Sequence, residues 1–204
     1  MIRTVESGKL TLMNILGISG SPNSGGNTAE AVLYALNIAG DTGCSTKFFS
    51  LGERRIHTCD GCWNCASAGV CIHDDGMTEL YEAMRWCDGL ILGSPVYMGM
   101  VTGQMKTFMD RCVLLRPSYQ LPVEMSGKAG GGIACGGFRN GGQETTLQNI
   151  HTFLLQQNMR VVNDGAPYSH AGGTITGTTK EDSLGLETVR NLALNIISAA
   201  RLHK

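Results

Sequence analysis

The run GLILGSPVY (Gly89–Tyr97) is apolar almost without interruption and shows no alternation. A strand with one wet face alternates apolar and polar residues, so a run like this belongs to a strand covered on both faces, which is the habit of a parallel sheet. Helices must then lie on each side of it, and the rest of the chain supplies them. NILGISGS (Asn14–Ser21) predicts a first strand, after which Ala29, Val32, Leu33 and Leu36 recur at the helical spacing i, i+3, i+4, i+7. STKFFSLG (Ser45–Gly52) predicts a second strand, and Met77, Leu80, Tyr81 and Met84 a helix. Met105, Phe108, Met109 and Cys112 continue the pattern after the Gly89–Tyr97 strand. KAGGGIACGG (Lys128–Gly137) and MRVVNDG (Met159–Gly165) predict two more strands. Between them lies a helix marked by Leu147, Ile150, His151 and Leu154, and a last helix carries Val189, Leu192, Ala193, Ile196, Ile197 and Ala200.

Five strands alternating with helices predict an open five-stranded parallel α/β sheet with helices on both faces. At 204 residues with 42% hydrophobic content, one core is enough, and we expect one domain over 13–204 behind a tail at 1–12. Open sheets of this kind take their ligands beyond the carboxyl ends of the strands. The 28 glycines suit tight loops at such a rim. A net charge of −1 without a basic run argues against nucleic acid or an anionic membrane as partner. MIRTVESGKLTLMN has neither an apolar leader nor a cleavage site, and no apolar run reaches the ~18 residues of a membrane span. The expected location is the cytoplasm.

The alternation is interrupted after the second strand by HTCDGCWNCASAGVCIH (His57–His73), within a segment spanning 57–75. Cys59, Cys62, Cys65 and Cys71 read C-x2-C-x2-C-x5-C. In a reducing compartment such clustering points to metal or redox chemistry and not to a disulfide framework. Zinc sites more often use two separated C-x2-C pairs, whereas three closely spaced cysteines are similar to the run in bacterial ferredoxins. Zinc and free, regulatory thiols stand as alternatives. His57 and His73 are read as solvated loop residues, and Asp74 and Asp75 as the cap of the following helix. Cys44, Cys87, Cys112 and Cys135 are read as small buried hydrophobes. Lys106, Asp110 and Arg111 are read as a solvated or interface face.

Three loops follow strands. GSPNSGGNTAE (Gly20–Glu30) opens the first helix, with Asn27 and Glu30 at the spacing of a capping box and the glycines freeing N–H groups for an anion. It lacks the lysine of a nucleotide-triphosphate loop and does not fit G-x-G-x-x-G. GSPVYMGMVTGQMK (Gly93–Lys106) offers Tyr97 and Met98 to a flat ring, and CGGFRNGGQE (Cys135–Glu144) offers free backbone amides. The Thr/Gly stretch Ser169–Asp182 is read as a connecting loop.

GSPNSGGNT, SPVYMGMVTGQMKTFMDR and GGQETTLQNI resemble the three FMN-contacting segments of flavodoxin-like, NAD(P)H-dependent FMN reductase family proteins. With the cysteine motif added, the chain resembles the iron–sulfur flavoproteins. The resemblance implies a flavodoxin-like fold with a cysteine-rich insertion, bound FMN and a [4Fe-4S] cluster. It implies that Ser21, Asn23, Ser24, Gly26, Asn27 and Thr28 hold the phosphate. Pro95, Val96, Tyr97, Met98 and Gly99 would flank the ribityl chain and ring, with Gly136, Gly137, Gly142 and Gln143 approaching from the third loop. Cys59, Cys62, Cys65 and Cys71 would ligate the cluster. Many relatives carry a basic residue where this chain has Asn23 or Ser24, so its phosphate would rely on amides, hydroxyls and the helix dipole. Further implications are a ferredoxin or similar donor, a small-molecule acceptor and a homodimer or homotetramer. An NAD(P)H-dependent FMN or quinone reductase, or a redox sensor with a zinc or thiol site, are the alternative readings.

Overall fold

The computed structural model describes residues 12–116 and 123–202. The expected tail, except Leu12, and His203 lie outside them. In chain order the elements are β1 (Asn14–Ser19), α1 (Asn27–Asp41), β2 (Ser45–Ser50), α2 (Asn64–Ala68), α3 (Met77–Trp86) and β3 (Gly89–Pro95). There follow α4 (Gly103–Arg111), β4 (Ala129–Gly136), α5 (Gln143–Gln156), β5 (Arg160–Val161), β6 (Gly173–Thr176) and α6 (Ser183–Arg201). The sheet is parallel throughout in the order β2-β1-β3-β4-β5, with β6 also on β4. This is the flavodoxin-like strand order, whose direction of progression reverses between β1 and β3.

Alternate residues of the central strands face opposite layers. Ile15, Ile91 and Ile133 pack with Val32 and Leu36 of α1 and Leu192 and Ile196 of α6. Leu16, Ile18, Leu90 and Leu92 pack with Leu80 and Met84 of α3, Met105 and Phe108 of α4, and Ile150 and Leu154 of α5. The two cores explain why the strands read as unbroken apolar runs. The glycines of β4 set how close the layers come. A Cβ on Gly130 would stand 2.8 Å from a Leu154 methyl and one on Gly131 2.7 Å from a Leu192 methyl, both inside contact distance.

The expected fifth strand is only two residues long. After Val161 the chain leaves the sheet, and the edge beside β4 resumes at Gly173–Thr176, inside the stretch expected to be a connecting loop. Ile175 is fully buried and Thr176 exposed, so this strand does alternate, but over too few residues to stand out between glycines. Three smaller expectations are also corrected. Cys44 is half-buried, unlike Cys87, Cys112 and Cys135. α1 is preceded by Gly26 and has no side-chain cap, because the Asn27 amide bonds to Gly177 O at 2.8 Å and accepts from Thr179 N at 3.2 Å. Arg111 is 2% exposed, whereas Lys106 and Asp110 pair on the surface at 2.6 Å.

Candidate flavin and iron–sulfur sites

The loops after β1, β3 and β4 leave neighbouring strands on one rim, tied at their roots by Gly20 N–H to Gly93 O at 2.7 Å and Val96 N–H to Cys135 O at 2.9 Å. In the first loop, Ser21 Oγ accepts from Asn23 N at 3.1 Å and Asn23 Oδ1 from Gly25 N at 3.2 Å. The side chains of Ser21, Asn23 and Asn27 thus shape the loop and its neighbour. Thr28 is buried, and burial pushes the Cys135 thiol up to about 12 although the Thr28 side chain acts to lower it. Among the described residues Ser24 makes no such bond, and Gly25 faces open space. The donors left for an anion are the first N–H groups of α1, at the positive end of its dipole, and with no capping side chain to compete they suit a phosphate.

After β3, Pro95 and Val96 lead into a hairpin in which Tyr97 and Met100 exchange backbone bonds of 3.0 Å in both directions. Its two central residues, Met98 (φ 51°) and Gly99 (φ 76°), both lie in the left-handed region, as a type I′ turn demands. Met98 is fully exposed and Tyr97 half exposed. Gly142 (φ 106°) presses against this hairpin, since a Cβ there would stand 2.7 Å from Gly99 Cα. The Thr145 hydroxyl donates to Gly99 O at 2.6 Å and fixes the approach. Gln143 is buried and holds its own loop, donating to Phe138 O at 2.8 Å and accepting from Gly141 N at 2.9 Å. A side chain on Gly136 would collide with that amide, while Gly137 is open. Phe138, 82% exposed, stands at the tip.

The cysteine segment bends through positive φ at Gly61 (65°) and Trp63 (60°), makes the single turn of α2, and closes on Gly69 (71°). Left-handed backbone at a tryptophan is costly and recurs where geometry is imposed by function. Cys59, Cys62, Cys65 and Cys71 are all free and line one cavity of about 750 Å³ shared with α4 and α5. Burial raises the Cys65 thiol, and the charge of Cys71, then Cys59 and Cys62, raises it further, so the four lie within electrostatic reach of one another. Among the described residues, the set of three or more ligand atoms all within 4.8 Å of one another is His57, Asp60 and His73, not the thiols. Tetrahedral zinc would draw its thiolates to about 3.8 Å apart. The cavity that the four cysteines share has room for a thiolate-bound group larger than a single ion.

Sequence reasoning missed what holds this segment. Arg111, the last residue of α4, donates from Nη1 to His57 O at 2.8 Å and to Asp75 Oδ2 at 2.7 Å. From Nη2 it reaches Asp75 Oδ1 at 3.1 Å and His73 O at 3.4 Å. Asp75 also accepts from His57 N at 2.8 Å and from Met77 N at 3.0 Å, but the cap position of α3 is Gly76 and no side chain caps it, so the capping expected of Asp74 and Asp75 is not what forms: the Asp75 carboxylate is taken up by Arg111. Burial works against the Asp75 charge, but the Arg111 bonds and those two amides outweigh it and hold the carboxyl below its ordinary range. Outside the clamp, His73 Nε2 meets Asp60 Oδ2 at 2.8 Å and the His57 and His73 rings stack at 4.0 Å. Thr102 was missed as well: its hydroxyl donates to Gly20 O at 2.6 Å and caps α4 by accepting from Met105 N at 3.1 Å. Thr102 carried a local signal, a threonine at the start of a helical pattern, though its partner Gly20 lies 82 positions away; Arg111 had none, because its partners lie 36 to 54 positions away.

Residues 13–174 match the NADPH-dependent FMN reductase family. An iron–sulfur flavoprotein of Methanocaldococcus jannaschii is 44% identical over 94% of this chain and 100% of its own. An iron–sulfur flavoprotein of Methanosarcina thermophila is 38% identical over 93% of this chain and 96% of its own. Among solved structures, a WrbA-like flavodoxin of Agrobacterium tumefaciens superposes with a TM-score of 0.66 at 19% identity, covering 94% of this chain and 99% of that one, which shows the shared fold. The chain belongs to the NADPH-dependent FMN reductase family and, within it, to the iron–sulfur flavoproteins.

Proposed function

We propose that this chain is an electron-transfer oxidoreductase holding FMN on the rim of β1, β3 and β4 and a [4Fe-4S] cluster on Cys59, Cys62, Cys65 and Cys71. The observation that carries the reading is the pairing, in one iron–sulfur flavoprotein chain, of an uncapped helix N-terminus among three ligand-facing loops with four free thiols around a cavity. Such a cluster passes single electrons while FMN takes one or two, so together they turn one-electron delivery into two-electron reduction of an acceptor.

The residues bind and place. The α1 amides hold the phosphate, Ser21 and Asn23 keep that loop open, and Tyr97, Met98 and Phe138 supply apolar surface to the ring. Met100, which closes the hairpin, and Val101 after it line the same cavity as the cysteines, which supports a working connection between the two sites. No side chain is assigned as acid, base or nucleophile. A ferredoxin-like protein as donor and oxygen, peroxide or a quinone-like molecule as acceptor fit this chemistry, as does a homodimer or homotetramer. No described helix is long and apolar enough to cross a membrane, in keeping with a cytoplasmic site of action. The family match favours a second reading in which NADPH delivers hydride to FMN directly.

The test is iron, sulfide, zinc and FMN content of anaerobically purified protein, with visible spectra before and after dithionite. We expect about four irons and one FMN per chain. Cys62→Ala should lose the iron and keep the FMN; loss of FMN with iron retained would contradict separate sites. FMN without iron, with steady NADPH turnover, would support the second reading.

A further inference from the structure

We infer that Arg111 is a positioning residue for the cluster segment and that its buried charge sets how readily a cluster held there accepts an electron. The inference rests on the proposed cluster and goes beyond it. Arg111 is the buried Arg or Lys among the described residues, and it lines the cavity shared by the four cysteines. Its bonds to His57 O and His73 O grip the chain two residues before Cys59 and two after Cys71, so one guanidinium closes the base of the loop. Only a planar group with several fixed donors can serve two carbonyls and a carboxylate together; an ammonium has the charge without the fork. Its Nε–H is buried with no acceptor among the described residues.

The electrostatics are lopsided. Arg111 lines the cavity of the four cysteines, whereas Asp75 does not and lies instead in a separate shallow pocket with Arg54 and Glu79. The positive end of the pair therefore faces the cysteines. Reduction adds one electron to the cluster with no bond made or broken, and a cation fixed in a place of low exposure favours the more negative product.

The experiment is a dithionite-poised redox titration of the cluster, followed by electron paramagnetic resonance, on anaerobic holoprotein. Arg111→Met should lower the reduced-to-oxidised ratio at a fixed poise about tenfold, equivalent to about 59 mV for a one-electron couple. Asp75→Asn, which removes the negative partner and leaves the cation, should raise it. Simple loosening of the loop would move both variants the same way, and that result, or no movement in either, overturns the inference. If Arg111→Met assembles no cluster, Asp75→Asn decides alone, with a fall or no change overturning the inference. Arg111→Lys is expected to keep the wild-type potential while binding less iron. Wild-type protein without iron would sink the cluster reading itself, a different outcome from flat potentials in iron-replete variants.

Discussion

At Met98 the backbone holds φ 51° and the side chain has no neighbour to repay the strain, being fully exposed. Left-handed backbone costs an ordinary residue about 1–2 kcal/mol, and Asn tolerates it better. Met98→Asn should therefore stabilise the flavin-free protein by about 0.5–1 kcal/mol, read as a rise in melting temperature, while FMN titration shows weaker binding as the thioether surface is lost. Unchanged FMN affinity would remove Met98 from the ring contact. The contrast with Arg111 shows what single residues reveal. Met98 was legible through a motif that is contiguous in sequence. Arg111 follows Asp110 of an evident surface pair, and one step of about 100° round the helix carries it from water to the interior. Its role depends on carbonyls contributed by another segment, which no local pattern encodes.

At the scale of elements, α4 joins the two sites. Its amino end is capped by Thr102, which also grips Gly20 at the root of the loop proposed to hold the phosphate, and its last residue grips the stems of the cysteine segment. Thr102→Ala should cost about 1–2 kcal/mol in a denaturant melt, from the lost cap and an unpaired Gly20 carbonyl, and should weaken FMN binding. Thr102→Ser should restore both; failure to do so would mean that the methyl group, not the hydroxyl, holds the loop. The helices other than the single turn of α2 were legible because about two and a half turns or more repeat their period, and the central strands because both faces are covered. β6 was not, with four residues lying between glycines. The Asn27–Glu30 capping box satisfied its local rule and still did not form, because Gly177 and Thr179, some 150 residues on, offer the Asn27 amide partners of their own.

For the molecule as a whole, both cores are built almost entirely from residues outside 57–75; only Cys65 and Cys71 lean on one of them from that segment. The sheet and its helices can thus hold together without the cluster, and the Arg111–Asp75 pair keeps the base of the segment attached. Stripping iron with a chelator should leave a single cooperative melt and retained FMN, with a small change in melting temperature, because the core area buried is unchanged. What should change is the outer part of the loop. Trp63 is 68% exposed already and sits in strained backbone between Cys62 and Cys65, two of the proposed ligands, so releasing the thiolates would free it to relax. Chymotrypsin should then cut after Trp63 in the iron-free protein and much more slowly in the iron-loaded one. Trypsin is blind to this region, since 57–75 contains neither Lys nor Arg. Cutting dispersed over the chain on iron loss, with FMN released, would mean instead that the cluster is part of what holds the two layers on the sheet. A cut confined to Trp63 would mark the segment as a separable redox insertion on a fold that stands without it.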